Sequence, residues 1–399
     1  MIKANFCIPE SHSKIILDNF LSNEALKDFN NSNYTILPGF CDVHVHFREP
    51  GFSYKETIKT GAMAAAHGGY TAVCTMPNLN PVPDSIENLK IQQDIIDRDA
   101  CIDVLPYGAI TIGEKGEELS DMDGLKDKVV AFSDDGRGLQ RAEMMEKAMK
   151  KAVELDKIIV AHCEVNELLK GGYIHDGIYA KEHNHRGICS ASEYEQIARD
   201  CEIAKKTGAK YHVCHISTKE SVEIIRKAKA DGVDVTCETA PHYLILDETN
   251  LKEDGIWKMN PPLRGVEDRL ALLQGIKDGT IDCIATDHAP HSAEEKSKGL
   301  EKSPFGIVGI ENAFQVLYTN LVLTNVITLE KLIDLLVINP RNRFNISLGQ
   351  DYSIWDLNKA VKIDPSDFLS MGKATPFVGC EVKGENQVTV FEGNIVYKK

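Results

Sequence analysis

Between residues 40 and 290 the chain repeats one pattern. A short run dense in β-branched and other apolar residues is followed by a longer stretch whose apolar residues recur every three or four positions. Eight short runs stand at 40–46, 70–76, 102–109, 129–135, 158–164, 211–217, 233–238 and 283–288. Helical stretches at 53–67, 84–97, 140–155, 192–207, 219–230 and 266–279 fill most gaps, and the third gap holds only a short one at 122–127. Strands alternating with helices predict βα units and a parallel sheet. Eight of them predict a (β/α)8 TIM-type barrel, with its chemistry at the C-terminal ends of the strands. An open doubly wound sheet is the competing arrangement, but no glycine-rich phosphate loop follows the first run.

Two connections are longer than usual. Residues 165–190 carry Gly171, Gly172, His175, His183 and His185, whereas 291–305 include a charged run, 294–302, that reads as exposed and mobile. Long loops on this face of a barrel commonly bind or cover substrate. Short apolar runs at 13–17, 352–356, 387–391 and 394–397 predict strands of a small β-domain built from both chain termini. The expected division is 38–344 for the barrel and 1–37 with 345–399 for that domain.

Polar residues at the ends of the apolar runs carry the chemical signal. His44 and His46 are two apart, so in a strand they share a face. One such pair is also what a hydrogen-bonded core histidine would give. The fourth run, however, ends in Asp134-Asp135, the fifth in His162-Cys163-Glu164, the sixth in His215 and the eighth in Asp287-His288. Imidazole and carboxylate suit zinc, and two ions bridged by a carboxylate and a hydroxide would use six such groups. Arg48, two residues beyond His46, could present its planar fork to a carboxylate beside the metals.

Composition narrows the setting. Hydrophobic residues make up 43% and charged residues 26% of the 399, a globular balance without a bilayer-length apolar run. The N-terminus has no basic and apolar leader, and the eleven cysteines lack paired spacing, so a cytoplasmic protein with free thiols is expected. Cys41, Cys163 and Cys214 adjoin candidate ligands and are expected to serve packing. A net charge of −15 argues against nucleic acid or an anionic membrane as partner, but not against a small anion held by one arginine.

At these residues the chain resembles the amidohydrolase superfamily and, within it, the dihydroorotases of the longer bacterial class. The matching words are PGFCDVHVHFREPG, GGYTAVCTMPNLNPVPD, AFSDDG, AHCE, CHIST, TAPHY, NPPLR and ATDHAPH, spread from residue 38 to about 310. The resemblance implies a first zinc on His44, His46 and Asp287, a second on His162 and His215, and a bridge through Asp135 rather than Asp134. It implies that Arg48, Asn78 and His291, with His46 beside them, hold the substrate carboxylate, and that Asn260, Phe305 and Gly306 contact the pyrimidine ring. Many superfamily members bridge their zincs with a carbamylated lysine on the fourth strand. Here the lysine, Lys128, heads that run, which favours the aspartate bridge and disfavours hydantoinase, dihydropyrimidinase and allantoinase. The segment before Pro38 is short and asparagine-rich, which implies a reduced β-domain.

The activity implied is the reversible cyclisation of N-carbamoyl-L-aspartate to L-dihydroorotate in pyrimidine (UMP) synthesis, with Asp287 as the catalytic proton shuttle. A homodimer and an association with aspartate transcarbamoylase are compatible partners. Two other readings are another cyclic amidase such as allantoinase, and a non-catalytic scaffold for the transcarbamoylase; a scaffold would have lost metal ligands, and here the set is complete. His12, His67, His175, His183 and His185 read as surface or loop residues, His242 as a structural or ligand-supporting one. Glu164 could orient a ligand or hold the long loop.

Overall fold

The computed structural model describes residues 3, 4 and 10–399, with side chains from His12 onward. Every one of the eight runs contains a strand: β1 (Phe40–Val45), β2 (Tyr70–Thr75), β3 (Asp103–Pro106, continued by Gly108–Ala109), β4 (Phe132–Ser133), β5 (Ile158–Ala161), β6 (Lys210–Val213), β7 (Val235–Thr239) and β8 (Cys283–Ile284). β1, β2 and the first half of β3 pair in parallel, as do the second half of β3 and β4 through β8. β3 joins the two sheets at its break: Tyr107 N–H donates to Thr75 O and Gly108 N–H to Ala131 O. β8 meets β1 through the parallel bridge Val45–His288, where His46 N–H donates to His288 O at 2.8 Å, so the eight strands close into a barrel.

The helices are cut at their capping residues. Thr57 caps Ile58–His67 in a reciprocal pair with Thr60, which moves the start from the expected Ser53 to Ile58. Ser85 caps Ile86–Asp99 and Thr218 caps Lys219–Ala230, while Gly208 ends Ala191–Thr207 in the left-handed conformation. The barrel is filled mostly by small side chains, among them Cys41, Val43, Ala72, Cys74, Val160, Cys214 and Cys283, with Met76, Tyr107 and Phe344 as larger members, and a larger apolar cluster lies between strands and helices. The ten described cysteines are all free, and among the described residues no helix is long and apolar enough to cross a membrane.

Residues from both ends of the chain form a five-stranded sheet in the order Lys3–Ala4, Thr35–Pro38, Tyr352–Lys362, Glu381–Phe391, Asn394–Lys398. The strand expected at 13–17 is instead part of a helix, Glu10–Ser22. Ile16 and Phe20, four apart, bury one helical face against Ile36, Tyr352 and Val388, whereas Ile15 and Leu21 are exposed. An apolar run this short suits either period, and burial on one side selects the helix. The run 294–302 forms two short helices, Ala293–Lys296 and Gly299–Lys302; Glu294, Ser297, Lys298, Glu301 and Lys302 are exposed as expected, while Lys296 and Leu300 are buried and fold the run onto the rim.

Candidate active site

The barrel rim gathers His44 and His46 from β1 with Asp135, His162, His215 and Asp287 from the residues that follow β4, β5, β6 and β8; all six are buried. The pairing of β1 with β2 shifts register between Asp42 and Val45. Below the shift Cys41 and Val43 fill the barrel; above it His44 and His46 take the inward face. Such irregularities re-aim side chains next to active sites. His215, Asp287 and Arg48 have φ of 29°, 48° and 59°, a backbone region that costs a non-glycine residue about 1–3 kcal/mol and concentrates at functional sites.

His44, His46 and Asp287 bring one ligand atom each within 4.8 Å of one another, as do His44, Asp135 and His215. Asp135 lies 3.4 Å from His44 Nε2, 3.5 Å from His46 Nε2, 3.8 Å from His215 Nε2 and 3.9 Å from His162 Nδ1. Its neighbour Asp134 turns away and accepts hydrogen bonds from the Ile110 and Thr111 N–H groups and the Thr111 hydroxyl. Only Asp135 of the two is therefore available to a shared ion. His44 Nε2, Asp135 Oδ1, His162 Nε2 and His215 Nδ1 are buried without a hydrogen-bond partner among the described residues. Buried polar atoms left unpaired are costly, and this donor set is that of a divalent metal site, so the residues fit one.

The cluster sets its own charge state. Burial opposes a charge on His44, but Asp135 and Glu238 outweigh it and raise this imidazole well above its ordinary value. Burial also opposes ionisation of Asp135 and Asp287, and the surrounding imidazoles reverse that, holding both carboxyls below the usual range. The site thus favours carboxylates poised for a cation.

Glu238, on β7, was not singled out in the sequence. Its Oε1 lies 2.7 Å from His44 Nδ1 and its Oε2 3.2 Å from His212 Nε2, whose other nitrogen is 2.7 Å from Thr236 Oγ1. Burial would raise Glu238, yet His44 and His212 hold it at about 2. A carboxylate on Nδ1 fixes the His44 ring with Nε2 facing the cluster. The available signal was a glutamate inside the β-rich run Val-Thr-Cys-Glu-Thr, a residue too costly to bury in a barrel strand unless paired.

Above the cluster a cavity of about 190 Å³ opens to the rim, and eleven of the twelve residues singled out in the sequence line it. The twelfth, His44, is fully buried and does not reach the cavity. Gly136 and Ala289 complete the wall. Arg48 Nε donates to Pro290 O at 3.2 Å, and its guanidinium approaches His291 Nε2 at 3.4 Å. Asn78 accepts at 3.0 Å from His46 Nδ1, and its amide nitrogen lies 3.4 Å from Asp135. Asn260 donates to Glu164 Oε2 at 2.7 Å, so Glu164 orients a wall residue and also lies 3.8 Å from His162 Nε2. Gly306 has φ 127°, and a side chain there would meet Ala289 O at 2.7 Å. Burial and the cations Arg48, Lys55 and Lys296 push His291 down to about 3, leaving a neutral imidazole among positive neighbours.

Residues outside the site fall into place as well. Lys128 is exposed and lines a cavity of about 650 Å³ at the opposite end of the barrel, with Lys157, Lys210 and Arg343. His242 is buried, and burial lowers it to about 4. His183 and His185 stack with Tyr179 on the loop after β5. Cys41, Cys163 and Cys214 lie in apolar clusters and do not line the cavity.

Comparison with known proteins agrees with this geometry. The Dihydro-orotase-like family model matches residues 34–221. A dihydroorotase of Fusobacterium nucleatum is 49% identical over 404 aligned residues, covering 99% of this chain and 95% of its own length. Those of Listeria monocytogenes and Shouchella clausii are 51% and 50% identical, covering 94% and 96% of this chain and 90% and 92% of their own. Among solved structures, the L-hydantoinase (dihydropyrimidinase) of Arthrobacter aurescens superposes with a TM-score of 0.81 at 24% identity, covering 92% of this chain and 86% of its own. The dihydropyrimidinase of Brevibacillus agri gives 0.80 at 21%, with the same coverage, and supports the barrel fold. The chain belongs to the dihydroorotase family.

Proposed function

We propose that this chain is a hydrolase of a cyclic amide, a dihydroorotase that interconverts N-carbamoyl-L-aspartate and L-dihydroorotate in pyrimidine synthesis. What carries the reading is one cavity with two chemically different walls: buried histidines and aspartates on one side, and Arg48, Asn78, Asn260 and His291 on the other. His44, His46 and Asp287 would hold one zinc ion and His162 and His215 a second, with Asp135 between them. Bound there, zinc would supply a water acidic enough to ionise near neutral pH and a Lewis acid for the amide carbonyl.

The chain's own residues do the rest. Arg48 pairs with the substrate carboxylate, and Asn78 and the neutral His291 complete that pocket. Asn260 and the Phe305–Gly306 main chain set the plane of the ring against the cluster. Asp287, 3.0 Å from His46 Nε2, accepts the proton of the attacking water at a carboxylate oxygen and delivers it to the leaving ring nitrogen; cyclisation returns it by the same route. The division into a catalytic barrel, 38–344, and a β-domain from 1–37 and 345–399 belongs to this reading. So does a cytoplasmic location, which the free cysteines suit. The test is dihydroorotate formation from carbamoyl aspartate, with allantoin and hydantoin assayed beside it and zinc quantified in the same sample. Turnover of allantoin or hydantoin but not carbamoyl aspartate would replace the substrate assignment.

A further inference from the structure

Lys296 lies on the rim loop after β8, outside the cavity and outside the ligand cluster. It is 5% exposed, and its partners are main-chain carbonyls: Lys258 O at 3.1 Å, Pro304 O at 3.0 Å and Gly306 O at 2.7 Å. An ammonium has three protons, so the three acceptors saturate it. Burying a cation without a carboxylate is expensive, which marks the position as one where the contacts matter more than the burial.

All three carbonyls flank the substrate wall. Pro304 and Gly306 stand on either side of Phe305, and Phe305 O is itself 2.7 Å from His291 Nε2. Three successive carbonyls are thus gripped from residues 291 and 296, which Ser292 and the short helix Ala293–Lys296 connect. Lys258 is two residues before Asn260, and its carbonyl also accepts Gly306 N–H at 3.1 Å. Its ammonium lies 4.6 Å from the Phe305 ring centroid and 5.3 Å from that of Tyr173, and it donates to Glu301 O at 2.7 Å. The loops after β5, β7 and β8 therefore converge on this pair of lysines.

We propose that Lys296 is a positioning residue for substrate: its ammonium ties the Lys258, Pro304 and Gly306 carbonyls together and so holds Asn260 and Phe305–Gly306 at the distance the ring requires. The inference rests on the substrate reading above. Burial, reinforced by Lys258, draws the Lys296 ammonium down to about 7, so the three-carbonyl contact belongs to the protonated form and weakens as pH rises above that value.

Lys296→Met keeps the length of the side chain and removes its charge and donors; Lys296→Gln keeps two donors. The KM for carbamoyl aspartate should rise about ten-fold in Lys296→Met and by less in Lys296→Gln, with kcat and zinc content near those of the unmodified protein. In a Phe305→Ala background the same change should raise KM much less, because the group being positioned is gone. An unchanged KM in a folded Lys296→Met, or equal effects in both backgrounds, would overturn the proposal. Should neither lysine variant fold, amide exchange of the unmodified protein decides it: residues 303–308 should exchange as slowly as the barrel strands, and fast exchange refutes a clamp. Absence of turnover in the unmodified protein counts against the substrate reading, whereas the exchange result bears on the clamp alone.

Discussion

The two walls of the cavity are built on different foundations. The metal-facing wall rides on strand ends, where the barrel's own hydrogen bonds fix the main chain and one additional carboxylate, Glu238, fixes a ring. The substrate-facing wall rides on loops, and several of its members are braced by specific side chains: Asn260 by Glu164 from the loop after β5, and Phe305 and Gly306 by His291 and Lys296 from earlier in their own loop. A strand-borne group is placed by the fold, and a loop-borne group by a few specific contacts. Substitutions in the first wall should therefore remove chemistry or metal, and in the second should weaken substrate with metal retained.

The largest effect expected is at Asp287. Asp287→Asn keeps the shape of the side chain and removes its capacity to take a proton, so kcat should fall by about 10³-fold, within the range of general acid–base catalysis, while carbamoyl aspartate still binds. Near-native turnover would remove Asp287 from the proton path. Next is Glu238→Gln. It loosens the His44 ring without touching substrate, so zinc affinity should drop by about 10–100-fold, measured by chelator competition, with KM at saturating zinc little changed. Unaltered zinc affinity would reduce Glu238 to a packing residue. Across the cavity, Arg48→Ala should raise KM by about ten-fold or more while zinc content stays constant. A loss of zinc in that variant would mean that the two walls are not independent.

The same contrast explains what the sequence made legible. The eight runs and their polar ends follow from period-two alternation and barrel geometry, so all eight strands and the six clustered residues could be named from pattern and motif together. Glu238 escaped because alternation says which way a residue points, not what it meets across the barrel, and its partners His44 and His212 come from β1 and β6. The helix at Glu10–Ser22 and the buried positions Lys296 and Leu300 escaped for a related reason. Each is decided by contacts outside its own segment: Ile36 and Tyr352 for the helix, and for Lys296 the carbonyls of 258, 304 and 306. The loop-borne substrate wall has no periodicity of its own, and apart from Arg48, whose spacing from His46 is itself a signal, only resemblance to a family pointed to it.

The smallest effect, and the most specific to the loop-borne wall, concerns His291. Its ring is kept neutral by burial and by Arg48, Lys55 and Lys296, with a folded value of about 3 against 6.5 for the free side chain. As pH falls below 6.5 the unfolded chain takes up a proton that the folded chain refuses. The contribution of this group to stability is thus complete above 6.5 and is lost progressively as pH falls toward 3, at a rate of about 1.4 kcal/mol per pH unit at most. In urea unfolding of the unliganded protein, His291→Gln should therefore lose stability less steeply than the unmodified protein between pH 6.5 and pH 4. A bound substrate carboxylate would offset the neighbouring cations and let the ring titrate closer to its free value, so the difference between the two proteins should shrink when substrate is present. Parallel acid limbs would show that the positive neighbours do not act on His291 as the geometry requires. A difference that ignores substrate would place the carboxylate pocket somewhere other than beside Arg48.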